Sequence, residues 1–312
     1  TGPAWSYPTT LAWMQVWFAS AAGGWIEPLV NLPWVAVWVA LLCAHYGQWR
    51  ALGLSRAKAL AFVYVLGSLP LPTVHVALAG YADLWLATML GLGVLAWLRW
   101  IEQGDRAQLA IALACAFALP LIKLEGAVWL LLFAMVAGYS ALPRRRRRLT
   151  VGIVAAVLLA MLVVGKLILP LFGLGWVNVH LHSIEVPVLG NLPIGWHAGA
   201  FGSIAQSLFA QANWNLLWWI VPAVVVWRWR ELRLYAATRA LGALLCAGLG
   251  FLVFLFAFTD AAQWAESYTA INRLVMHLVP ATVTLLALLS RNLDLQALLG
   301  RERASAPRSA PA

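Results

Sequence analysis

Long apolar stretches separated by short polar segments dominate this sequence. A membrane-spanning helix needs roughly 17–25 mostly apolar residues, and nine stretches meet or approach that length. They are 30–48, 59–78, 84–100, 107–122, 126–142, 150–171, 214–228, 239–259 and 272–290. A further apolar segment, 8–23, begins at Pro8 and predicts a helix at the membrane interface. The pattern therefore predicts an all-α polytopic membrane bundle of about nine transmembrane helices plus an N-terminal interfacial helix.

Composition narrows the class of protein. Of the 312 residues, 63% are hydrophobic and 10% charged, whereas soluble domains have about 45–50% apolar and about 25% charged residues. A soluble enzyme, a disordered regulator and a secreted disulfide scaffold are therefore excluded. Cys43, Cys115 and Cys246 lie inside apolar runs without metal-ligand spacing, so we interpret them as small hydrophobic residues.

The basic residues predict the orientation of the chain. In a nine-span topology all of the 21 Lys and Arg residues except Lys123, Lys166 and Arg273 fall on one side, which the positive-inside rule makes cytoplasmic. The arginine run 144–148 is typical of such a topology signal, so the net charge of +10 does not indicate a nucleic-acid partner. We therefore expect an integral membrane protein whose opposite side faces away from the cytoplasm.

Two parts are predicted along the chain. Residues 1–290 form the transmembrane domain, and residues 291–312 form a cytoplasmic tail that is partly disordered because it is rich in Ala, Pro, Ser and Arg. The sequence begins with Thr1 and has no leader-like segment. We therefore expect it to start inside a loop of a longer protein.

Carboxylates and the few remaining cations on the other side are candidates for chemistry. Asp83, in the segment GYADL (80–84), stands where a helix N-cap belongs; its carboxylate either caps the helix or orients a hydroxyl or a metal. Lys123 and Glu125, in KLEG (123–126), interrupt a long apolar stretch. They form either a plain turn with an ion pair or a phosphate contact made by the lysine.

The last predicted span begins with a further polar pair. Arg273 and His277 are four residues apart and share one helix face, so they either line a cavity or, for the arginine, extend to the membrane surface. In the longest outer loop His180, His182 and Glu185 could bind a divalent metal. A solvated loop explains the same three residues, so no cofactor is certain.

Together these motifs resemble the GT-C superfamily of membrane glycosyltransferases, of the protein-mannosyltransferase and aminoarabinose-transferase type. Tyr7 with the following proline resembles the start of the helix that closes their first outer loop. GYADL (80–84) resembles their acidic motif, KLEG (123–126) their Lys-x-Glu-Gly turn, and RLVMHLVP (273–280) their Arg-Leu-x-x-His-x-x-Pro helix. The resemblance covers most of residues 5–290.

The resemblance implies an inverting glycosyltransferase of the cell envelope, in a bacterial inner membrane with its active face periplasmic or extracellular. It would move a sugar from a polyprenyl-phosphate donor to a hydroxyl of a lipid, glycan or protein acceptor. Asp83 and Glu125 would assist catalysis, Lys123 and Arg273 would bind the donor phosphate, and the remaining candidates would contact substrate, namely Tyr7, Tyr81 and His277. The family's main catalytic carboxylate follows a first helix that this sequence lacks, so the fragment alone can be inactive.

Other functions remain open at this stage. A related enzyme resembling O-antigen ligases would transfer a preassembled glycan, although its long outer loop should be rich in arginine and the loop 172–213 has none. A lipid or sugar transporter or flippase would need polar groups near the middle of the bilayer and broken helices. A structural membrane subunit would need no site at all.

Overall fold

The structure, a computed structural model, describes residues 8–171, 175–186 and 190–293. These residues form a mostly helical fold, as the hydrophobic pattern predicts. The helices are α1 Thr10–Ala21, α2 Glu27–Ala51, α3 Arg56–Gly67, α4 Pro70–Ala77, α5 Asp83–Gln103, α6 Arg106–Ile122, α7 Glu125–Ala141, α8 Arg144–Val164, α9 Ala198–Ala205, α10 Leu217–Trp227, α11 Trp229–Leu234, α12 Ala236–Phe258, α13 Ala262–Glu266 and α14 Ile271–Ser290. The strands are β1 Lys166–Leu171, β2 Gly175–His180, β3 Ser183–Val186 and β4 Gly190–Pro193.

Four helices, α2, α5, α12 and α14, are long and apolar enough to cross a membrane. The bent pair of α3 and α4 would make a fifth span, and α6, α7 and α10 are shorter apolar helices. These helices are compatible with an integral membrane protein. Each of the nine predicted stretches contains a helix or the bent pair, whereas the number that cross the membrane stays a prediction.

Helix α14 lies in the centre of the bundle. Nearly all of its residues are buried, including the polar Asn272, His277, Thr282 and Thr284. It packs against α5, α12 and α3, and the Trp49 indole of α2 donates to the Thr284 hydroxyl at 3.2 Å. A helix that is apolar on all sides is stable only when other helices surround it.

Glycine allows the two central helices to approach closely. A Cβ at Gly91 of α5 would lie 2.7 Å from Cβ of Pro280 in α14, which is closer than two carbon atoms can pack. Pro280 lies inside α14, which continues past it to Ser290. The α5–α14 crossing thereby brings together the first turns of both helices, where Asp83 and Arg273 lie.

The predicted span 59–78 is broken in the structure. α3 ends at Gly67, and α4 begins at Pro70 with its axis turned by 62°. Leu69 is extended, with φ −69° and ψ 126°, as the residue before a proline prefers. The prolines at 70 and 72 therefore end one helix and start another, which a count of apolar residues does not reveal.

The predicted span 150–171 is wrong in its last part. α8 ends at Val164 because Gly165 adopts the left-handed conformation with φ +75°. The strands β1 to β4 then form an antiparallel sheet in the order β1-β2-β3-β4, whereas the apolar pattern predicts helix and loop there. The sheet adjoins the end of α12, because Gly195 N–H donates to the Phe258 carbonyl at 3.0 Å.

The bundle has two chemically different ends. At one end α5, α7 and α14 begin, and we call it the Asp83 end. The other end, where α6, α8 and α12 begin, is the arginine-rich end. Near the N-terminus α1 occupies Thr10–Ala21, within the segment expected to be an interfacial helix. Tyr7 and residues 294–312 of the predicted tail lie outside the described residues.

Candidate functional site

A fully buried carboxylate, Asp83, organises the Asp83 end of the bundle. Lys123 Nζ donates to its Oδ1 at 2.7 Å. Arg273 donates to its Oδ2 from Nε at 2.9 Å and forms an ion pair from Nη2 at 2.8 Å. His277 Nε2 lies 3.1 Å from Oδ1. Three residues that are 40 to 194 positions away in sequence thus meet on one carboxylate.

Glu125 extends this cluster on the other side of the lysine. Its Oε1 lies 3.1 Å from Lys123 Nζ, whereas its Oε2 is buried and has no hydrogen-bond partner in the described part of the chain. With His277 neutral, two carboxylates and two cations balance. Removing one member leaves a buried charge uncompensated, which costs about 3–5 kcal/mol for a buried pair.

The hydrogen bonds of His277 define its tautomer. The Trp129 indole N–H donates to His277 Nδ1 at 2.9 Å. Because an indole nitrogen can only donate, Nδ1 carries no proton, and we assign the proton to Nε2. His277 is therefore a neutral donor to Asp83. It fixes the carboxylate in place and does not act as a base.

Arg273 and Glu125 are the parts of the cluster that face outward. Each of their side chains is 35% exposed, against 8% for Lys123 and 0% for Asp83. The guanidinium lies over the Tyr81 ring at 5.0 Å, which is a favourable cation–π distance. The Tyr81 backbone carbonyl accepts a hydrogen bond from the Trp34 indole at 2.9 Å, so α2 holds the segment that carries this ring.

Local backbone geometry places the lysine and the glutamate. α6 ends at Ile122, Lys123 is extended with φ −155° and ψ 150°, and α7 begins at Glu125. A Cβ at Gly126 would lie 2.0 Å from the Leu119 carbonyl oxygen. Only glycine fits there, and the resulting tight turn directs Lys123 and Glu125 to the same site.

The structure decides between the alternative structural roles of Asp83 and Arg273. Asp83 is not an N-cap: Ala82 takes that position without a side-chain cap, and Asp83 is the first residue of α5. Instead of capping the helix, its carboxylate contacts the Lys123 ammonium and the Arg273 guanidinium, both within 3 Å. Arg273 does not simply extend to the membrane surface, since it is bound to that carboxylate.

The histidine-rich segment is separate from the cluster. His180 ends β2, His182 lies in the following turn, and Glu185 Oε2 accepts from the Asn178 amide at 2.9 Å. Within residues 8–171, 175–186 and 190–293, no group of three or more His, Cys, Asp or Glu side chains is placed to hold a metal ion. The structure thus gives the metal hypothesis no site.

Sequence reasoning missed two aromatic contributors. Trp129 orients His277, and the His75 ring packs edge-on against Tyr81 at 5.8 Å. One is a tryptophan among 19 and the other a histidine in an apolar run, so neither pattern indicated a site.

The fold and the site define a helical protein with membrane-length helices and a buried, charge-balanced cluster at one end. No known protein family, curated protein or solved structure matches the chain.

Proposed function

We propose that the chain is the core of a GT-C-like inverting glycosyltransferase that uses a polyprenyl-phosphate sugar donor. The observation that carries the proposal is the charge cluster in which buried Asp83 and Lys123 contact the partly exposed Glu125 and Arg273. Charges near a membrane are costly and are retained mainly for function. Two cations beside a free carboxylate oxygen suit a reaction in which a phosphate leaves and a hydroxyl attacks.

Arg273 is the first contact of the donor phosphate in this proposal. Its Nε and Nη2 are bonded to Asp83, whereas its Nη1 has no hydrogen bond within the described residues and the side chain is partly exposed. Lys123 is the other residue that the resemblance assigns to the donor phosphate. Its ammonium already contacts two carboxylates and is 8% exposed, so it supplies a second, deeper charge.

Glu125 suits the acceptor side of the reaction. Its unpartnered Oε2 can accept a hydrogen bond from the acceptor hydroxyl. The acceptor hydroxyl oxygen attacks the anomeric carbon and forms the new C–O bond, while its proton passes to the Glu125 carboxylate. The bond between the anomeric carbon and the lipid phosphate breaks, and its electrons move to the phosphate. Asp83, with both oxygens occupied, is a positioning residue that holds the two cations.

The finer topology belongs to the same proposal. Nine spans with the arginine-rich end in the cytoplasm would place the cluster at the periplasmic boundary of a bacterial inner membrane. An Arg146→Cys variant, made after Cys43, Cys115 and Cys246 are replaced, should resist impermeant thiol reagents added to intact cells. Ready labelling would show that the arginine-rich end faces outward and that the cluster therefore lies on the cytoplasmic side.

A transporter or flippase is the second candidate, because the bend of 62° between α3 and α4 resembles the discontinuous helices of transporters. Such a protein would move the donor lipid without cleaving it. Release of free polyprenyl phosphate therefore separates the two functions, whatever the sugar and the acceptor are.

The test is donor cleavage by the complete protein in proteoliposomes, with a panel of polyprenyl-phosphate pentoses and hexoses. Lys123→Met and Arg273→Gln should each lower release by about 10- to 150-fold, since a charge-assisted hydrogen bond contributes roughly 1.5–3 kcal/mol. Arg273→Lys should keep part of the activity because a point charge remains. Lys166→Met is the control, because this lysine is exposed on β1 and outside the cluster. Flipping without cleavage, or cleavage unchanged in both cluster variants, would contradict the proposal.

A further inference from the structure

A cavity lined by apolar residues and two arginines lies at the arginine-rich end, away from the Asp83 cluster. It has a volume of about 450 Å³, within the roughly 300–1,000 Å³ of ligand sites. The ends of α5 and α7 and the starts of α8 and α12 form its walls, with Trp100, Tyr139, Arg147, Arg239 and Ala240 among the lining residues. The glycosyltransferase proposal gives this cavity no role.

Its two arginines are held by backbone carbonyls and not by carboxylates. Arg147 Nε donates to the Leu142 carbonyl at 2.7 Å, and its Nη2 donates to the Ser140 carbonyl. Arg239 Nη1 donates to the Arg233 carbonyl at 2.7 Å. These bonds fix both guanidiniums without neutralising them. Nη1 of Arg147 and Nε and Nη2 of Arg239 have no hydrogen-bond partner within the part of the chain that the structure describes.

The neighbouring carboxylates at this end are already paired with other arginines. Glu102 contacts Arg291 at 2.8 Å and Asp105 lies 3.6 Å from Arg99. Similarly, Glu231 contacts Arg228 at 3.0 Å. The described residues therefore leave the charge of Arg147 and Arg239 uncompensated around one cavity.

The remaining lining is apolar or aromatic. Ala236, Ala240 and Ala243 of α12 line the cavity at helical spacing, so they form one smooth face. The Arg147 guanidinium lies 5.7 Å from the Tyr139 ring centroid. A pair of cations above a smooth apolar face matches a phosphate group that is attached to an acyl chain.

We propose that this cavity binds an anionic phospholipid, with the phosphate between Arg147 and Arg239 and an acyl chain along α12. Basic cavities between helices at a membrane face are suited to phospholipid headgroups. A bound lipid would join α8 to α12 by bridging the two arginines. The site is independent of the proposed transferase reaction, so either proposal can fail alone.

The test is native mass spectrometry of the purified full chain in detergent, titrated with phosphatidylglycerol or phosphatidylcholine. We expect phosphatidylglycerol to bind at least about 10-fold more tightly, because phosphatidylcholine carries the same phosphate but its choline cation offsets the negative charge that the two arginines attract. The double variant R147Q/R239Q should lose this preference. Its matched control is R148Q/R230Q, which removes the same charge from two exposed arginines that do not line the cavity and should bind normally.

Two further arms keep the test decisive. Ala243→Phe fills the exposed side of the cavity while both arginines remain, so it should weaken phosphatidylglycerol binding even if R147Q/R239Q unfolds. Excess inorganic phosphate should compete poorly, because it has no acyl chain. Normal binding by Ala243→Phe, an equal loss in R148Q/R230Q, or full competition by inorganic phosphate at the lipid concentration would each overturn the proposal.

Discussion

Replacing Asp83 with Asn should destabilise the protein more than most polar substitutions, because it unbalances a buried charge cluster. The substitution keeps the side-chain shape but removes the negative charge that contacts Lys123 at 2.7 Å and Arg273 at 2.8 Å. Breaking a buried pair costs about 3–5 kcal/mol. Arg273 is 35% exposed and is partly screened by solvent, so we expect the lower value. Stability should fall by about 3 kcal/mol, or roughly 6–12 °C in melting temperature.

A double-mutant cycle identifies the cause. Lys123→Met alone leaves two carboxylates against one cation, whereas Asp83→Asn together with Lys123→Met restores the balance between Glu125 and Arg273. The double variant should therefore be more stable than the sum of the single losses by about 1–3 kcal/mol. Tryptophan fluorescence during thermal unfolding in detergent measures all three variants.

Asp260→Asn is the control for this cycle. The Asp260 side chain is 54% exposed and lies 3.7 Å from His197. An exposed pair contributes at most about 1 kcal/mol, so its loss should shift the melting temperature by no more than about 2–4 °C. A melting temperature of Asp83→Asn within that range, or single losses that simply add, would refute the electrostatic account of the cluster.

Two further substitutions test the parts that support the cluster. Trp129→Phe removes the indole donor to His277 Nδ1 and leaves a buried acceptor unsatisfied, so the free energy of unfolding should fall by about 1–3 kcal/mol; an unchanged melting temperature would contradict the assigned tautomer. Gly126→Ala places a Cβ 2.0 Å from the Leu119 carbonyl, so stability should fall by about 1–3 kcal/mol or more. Gly138→Ala, in open space in the same helix, should be neutral or slightly stabilising, and equal losses in the two alanine variants would contradict the tight turn.

The members of the site could be predicted from sequence to the extent that they interrupt apolar runs. Asp83, Lys123 and Arg273 stand out because charges are rare near a membrane, and His277 follows from its spacing to Arg273. That these residues share one end of the bundle could be predicted, because all of them lie at helix ends on the same side. Which of their atoms contact each other could not be predicted, because this depends on how α5, α7 and α14 pack. Trp129 shows the limit, since its role lies in one indole N–H that has no sequence signature.

The fold shows the same division between local and long-range information. Apolar length locates the helices α2, α5, α12 and α14, because a spanning helix satisfies its backbone internally. The sheet was missed although Val177, Val179 and Ile184 give a β-branched signal. Strand pairing depends on partners across turns, which a local pattern does not contain. The apolar stretch 150–171 also continues through Gly165, so apolar length alone does not reveal that α8 ends there.

The central claim, that a donor phosphate binds at the Asp83 end beside Arg273, is tested most directly by photo-crosslinking. The probe is a polyprenyl phosphate with a diazirine next to the phosphate, bound to the purified chain and mapped by peptide mass spectrometry. We expect crosslinks in the peptides that contain Tyr81 and Arg273, and their loss in Arg273→Gln. Crosslinks confined to residues 139–147 and 236–243, or labelling that Arg273→Gln leaves unchanged, would contradict it.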